Sequence, residues 1–148
     1  MDILTIAIVI FAVLETSNVI MLYFTPGTKR GNGAGVFNAY EKSKSDPQTH
    51  ALIKYLINWV AGTKLIFIAL LLVILFTGSE LTKLCSVGAL ILSISSYFWR
   101  LHPLIKKMDG DGNISPKGYS KTLGITILCF LLVFIAALAV ALVRLQAG

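Results

Sequence analysis

The chain is 148 residues long, 56% hydrophobic and only 14% charged, against roughly 25% charged residues in an ordinary soluble domain. Four apolar runs of ~20 residues take up about 80 positions, which excludes a separate soluble catalytic domain. The net charge of +6 does not mark a nucleic-acid binder, because most Lys and Arg residues flank the apolar runs and no aromatic-basic module accompanies them.

The first run spans about residues 3–24 and is preceded only by Met1-Asp2, without the basic stretch of a cleavable leader, so it is expected to stay in the mature protein. A polar loop, 25–50, follows, rich in glycine at its start. Within it Val36, Phe37 and Tyr40 stand at helical spacing beside Glu41, Lys42 and Lys44, the pattern of a short amphipathic helix on the membrane surface. The second span lies in the apolar run 51–77, with its membrane part at about 55–77. Gly78-Ser79-Glu80 connects it tightly to a third span, 81–101, which closes on Tyr97, Phe98, Trp99 and Arg100 as an interfacial anchor. His102-Pro103 is expected to end that helix, leaving a second polar loop, 102–122, before a fourth span at 123–143. The fold class predicted is an all-α, integral membrane four-helix bundle with a short interfacial helix in the first loop.

Both long loops must face one side, and with Lys54 and Arg100 they hold ten of the thirteen basic residues. The positive-inside rule then puts the loops in the cytoplasm and both termini outside a cell membrane. Lys29, Arg30, Lys42 and Lys44 are expected to meet anionic lipid headgroups of the inner leaflet.

An ionisable side chain in mid-span costs about 2.5–3.5 kcal/mol on insertion scales, so it calls for a partner or a task. Glu15 lies nine residues before the loop end of the first span, and Lys64 lies ten beyond Lys54 on the antiparallel second. At ~1.5 Å per residue both sit about 13–15 Å deep, so an ion pair or a ligand site is expected there. Asn18, one turn from Glu15, and Asn58, on the same broad arc as Lys64, complete the candidate site. On the third span Ser86, Ala89, Ser93 and Ser96 form a narrow small-residue stripe, and Ala137 and Ala141 form a small-xxx-small pair on the fourth; both are read as helix-packing surfaces. Cys85 and Cys129 lie inside spans and are read as small core residues.

The loop motifs carry no complete chemistry. Asp109-Gly110-Asp111-Gly112-Asn113-Ile114-Ser115 resembles the middle of an EF-hand calcium loop. With Gly112 as the turn glycine, however, the first and twelfth ligand positions fall on Lys107 and Gly118. The glycines at 27–35 lack Walker spacing. His50 and His102 have no ligand-spaced companions, and no triad signature is present, so neither a metal nor a cofactor is expected.

Four spans and a Glu in the first are shared with small multidrug transporters, but the 26-residue first loop departs from that family and no family is assigned. Three functional readings follow. The leading one is a transport or permeation component for an ion, proton or small solute, working as a homo-oligomer. The others are a non-catalytic accessory subunit of a larger membrane complex and a small enzyme acting on lipid at the inner interface.

Overall fold

The computed structural model describes residues 2–147. Helix α1 (Ile3–Phe24) starts where the Asp2 carboxylate accepts from the Thr5 backbone N–H at 2.7 Å, satisfying a donor that has no partner within the helix. After a 3₁₀ turn (Ala34–Val36) and the short helix α2 (Asn38–Ser43), α3 (Pro47–Thr77) begins with Asp46 as cap and Pro47 in its first turn. Helices α4 (Glu80–Ser95), α5 (Tyr97–Gly110) and α6 (Tyr119–Ala147) follow. Four stretches, 3–24, 47–77, 80–110 and 119–146, are long and apolar enough to cross a membrane, and large apolar side chains such as Phe76 and Leu92 stand 81% and 76% exposed on their outer faces. The chain is an all-α four-helix bundle with the composition of a multi-pass membrane protein.

Helix α1 holds the middle of the bundle, in contact with α3, α6 and α4. At the end away from the long loops, Leu4, Ile8, Phe11, Leu71, Val87, Leu90, Phe134, Ala137 and Ala141 form the main core. Phe11 is its hub, with edge-to-face contacts to Phe67, Phe130 and Phe134 at centroid distances of 5.9, 5.7 and 5.2 Å. Ala137 and Ala141, each 3% exposed, lie within this core. Nearer the loops, Val19, Leu22, Ala61 and Ile68 close α1 on α3.

The two long loops join at the basic end of the bundle. Phe37 and Ile114 form an antiparallel bridge, with Ser115 N–H donating to Val36 O and Asn38 N–H to Asn113 O. Val36, Ile105 and Ile114 make a small core beneath it. A short helix thus stands in the first loop, and Tyr40 on it and Val36 just before it are covered by protein. Gly35 lies so close to the loop's opposite strand that a Cβ there would strike the Gly27 carbonyl, the reason for glycine at that crossing.

Several sequence expectations are corrected. Pro103 does not end the third span: the helix runs on to Gly110. Proline forfeits one backbone bond and its φ is already helical, while continuing brings Ile105 into the small core. The interruption falls instead at Ser96, whose hydroxyl donates to Ser93 O at 2.6 Å and competes with the helix ladder there. Tyr97 is buried rather than an interfacial anchor, whereas Trp99 is exposed with the Arg100 guanidinium 4.9 Å from its ring centroid. The face of α4 that packs is Val87 and Leu90; Ala89, Ser93 and Ser96 of the small-residue stripe are exposed and Ser86 donates to its own helix at Thr82 O. Cys85 and Cys129 are both exposed.

Candidate functional site

The helices do not close at the basic end as they do at the other. Between α1, α3, α4, α5 and α6 lies a cavity of about 590 Å³, inside the ~300–1,000 Å³ range of small-molecule sites. Its wall is mostly apolar, from Leu22, Val60, Leu101, Leu104, Ile127 and others, and Phe11 and Phe130 of the aromatic hub close its deep end.

Glu15, Asn18 and Lys64 stand on the wall of this cavity. Lys64 Nζ donates to Glu15 Oε2 at 2.5 Å, with the two side chains 26% and 20% exposed. The charges cancel, so the site presents a polar but neutral spot in a low-dielectric surround, where a charge-assisted bond is strong. Asn18 Oδ1 is buried and has no hydrogen-bond partner among the described residues. Such an acceptor costs about 1–3 kcal/mol when left unmade; Asn18 stands on the cavity wall, with this oxygen itself closed off from the space.

Asn58 does not belong to this group: it is exposed on α3 and absent from the cavity wall. At about 100° per residue it lies some 120° from Lys64 around the helix, with Ala61, fully buried under α1, between them. The arc read from the sequence is therefore split by the α1 contact, and Val60 accompanies Lys64 instead. Ser93 and Ser96 of the stripe border the cavity.

The sequence reading missed Tyr97, Asn32, Tyr119 and Thr126, all on the cavity wall. For α6 a signal existed: Tyr119, Thr122 and Thr126 recur at intervals of three and four, a polar stripe at the start of an otherwise apolar span. No family model, no curated protein and no solved structure matches this chain. Function is therefore argued from geometry.

Asp109 is 7% exposed, and its Oδ1 accepts from Gly118 N–H while Oδ2 accepts from Ser120 N–H and Oγ, at 3.0, 3.0 and 2.6 Å. Its carboxylate thereby caps the start of α6, which leaves it engaged with the backbone rather than turned to a calcium ion. Among the described residues no group of three His, Cys, Asp or Glu gathers as metal ligands. His50 bonds Ser43 Oγ at 2.9 Å, and His102 lies 3.3 Å from Tyr97 Oη. Lys29, Arg30, Lys42 and Lys44 are exposed at the basic end. Of these, Lys44 pairs with Glu41 at 2.7 Å, and that carboxylate raises the Lys44 ammonium above the usual lysine range.

Proposed function

We propose that this protein binds an amphipathic small molecule in the cavity at the basic end of the bundle, as the solute-binding step of transport carried out by an oligomer. The observation that carries the reading is the coincidence of a large, mostly apolar cavity with three polar side chains on its wall, Glu15, Asn18 and Lys64. An apolar body suits the wall, and a polar head group suits the Glu15, Asn18 and Lys64 side chains on it. A bare cation is a poorer fit, because Lys64 already occupies Glu15. The aromatic hub around Phe11 closes the other half of the bundle, so movement across the membrane calls for a rearrangement or for surfaces between copies. The charge asymmetry of the loops supports a cytoplasmic basic end with both termini outside.

The test uses a long-chain alcohol carrying a photoactivatable diazirine, with the protein in phosphatidylcholine liposomes. Saturable labelling of Ser93, Leu101 or Thr126, competed by unlabelled hexadecanol and lost in a folded Ser93→Trp variant, is the expected result. Labelling confined to outer positions such as Phe76 and Leu132, rising without saturation, would refute it.

A further inference from the structure

A second recess of about 290 Å³ adjoins the cavity and shares Asn32, Tyr119, Leu123 and Thr126 with it. Lys29 and Lys117 stand on its wall, together with Gly31, Pro116 and Thr122. Lysine ammonium groups only donate, and the Asn32 amide can donate as well, whereas the hydroxyls of Tyr119, Thr122 and Thr126 donate to backbone carbonyls; no Asp or Glu lines the recess. The nearest capping carboxylate, Asp109, is engaged with Gly118 and Ser120. The two lysines come from different loops, which the fold brings together: Tyr119 Oη donates to Gly31 O at 2.8 Å, and the Phe37–Ile114 bridge ties the segments beside them. An apolar chamber thus adjoins, at its loop end, a small recess that carries two lysines and no acidic residue on its wall.

From this arrangement we infer that the ligand is a single-chain amphiphile ending in a carboxylate or phosphate, its chain in the apolar cavity and its anionic head between Lys29 and Lys117. The inference rests on the cavity reading above and adds the charge of the head and the residues that recognise it. The head sits at the interfacial end, where Lys side chains keep their charge in a wet environment, and an anion between two lysines gains charge-assisted hydrogen bonds that an alcohol does not.

The experiment is competition against the diazirine alcohol in neutral phosphatidylcholine liposomes, with hexadecanol and hexadecyl phosphate compared at equal mole fraction in the bilayer. Two lysines near the surface predict a roughly 30-fold advantage for the phosphate. That advantage should vanish in Lys29→Gln/Lys117→Gln and persist in Lys106→Gln/Lys121→Gln, which removes two exposed lysines outside the recess. Equal competition by alcohol and phosphate would overturn the anionic head while leaving the cavity reading intact, and so would a preference that survives loss of Lys29 and Lys117. Inorganic phosphate alone should not compete; if it does, the recess takes the free anion and the chain requirement falls. Absence of saturable labelling by any probe would overturn both the cavity reading and this inference.

Discussion

Removing one partner of the Glu15–Lys64 pair should destabilise the protein, and removing both should restore most of the loss. Breaking a fully buried pair costs about 3–5 kcal/mol, because one charge is left without compensation, while replacing both by apolar groups is often neutral. Here the side chains keep 20–26% of their exposure, and the long lysine stem can carry its ammonium toward the interface. Those two reliefs bring the expected cost to about 2–3 kcal/mol for Lys64→Met and less, about 1–2 kcal/mol, for Glu15→Gln. Glu15→Gln/Lys64→Met should fall within about 1 kcal/mol of wild type, a coupling energy of about 2–5 kcal/mol, at or above the upper end of the 0.5–3 kcal/mol usual for contacting residues. The assay is a double-mutant cycle by denaturant titration in mixed micelles, followed by far-UV circular dichroism. Purely additive single costs would show that the two residues do not act as a pair and would remove the neutral polar spot on which the cavity reading depends.

Asp109→Ala strips three donors at the start of α6 of their acceptor and should lower stability by about 1–3 kcal/mol, measured by the same titration; added calcium should leave the wild-type curve unchanged, since those oxygens are already engaged. Asp2 is held at about 2, below its ordinary 3.8, chiefly by the Thr5 hydroxyl, with Lys83 adding to the effect. A lowered folded value means stability that is present above 3.8 and lost as pH falls through 2; the exposure of Asp2 keeps it below roughly 1 kcal/mol. Wild type should therefore exceed Asp2→Asn near neutral pH and converge with it in strong acid, and a constant gap across the titration would contradict the assignment. For orientation, Ser79→Cys should react with a membrane-impermeant maleimide on intact cells and Ser45→Cys only after lysis, both in a Cys85→Ala/Cys129→Ala background. The reverse order would invert the proposed topology.

The membrane layout was legible because each span is a long apolar run and depth follows from residue count: Glu15 and Lys64, placed at equal depth by counting, are in contact in the structure. Rotation about a helix axis was harder to read. Asn58 and Lys64 share one arc on a wheel, yet α1 lands on Ala61 between them and only one faces the cavity. The serine stripe of α4 is a similar case: small residues permit close approach, but larger apolar neighbours, Val87 and Leu90, already fill the space between helices. The Asp109 cap joins the end of α5 to the start of α6 through a turn that periodicity cannot describe, so its carboxylate read as one ligand of a partial calcium loop.

The cavity itself was beyond sequence reasoning because it is formed where helices do not meet. Helix α1 fills the centre with large side chains near its start, Leu4, Ile8 and Phe11, but turns Glu15 and Asn18 to the same interior nearer the loops. A bundle selected only for packing would place apolar side chains at these two depths as well, since burying polar groups there adds cost without adding contact. Among the described residues only the first of the two finds a partner, Lys64; the Asn18 acceptor does not. Helix α5, carried past Pro103 by the Ile105 contact, roofs the opening with Leu101, Leu104 and Met108. Polar groups at depth and an apolar roof over the space beside them are the combination from which binding of an amphiphile is proposed.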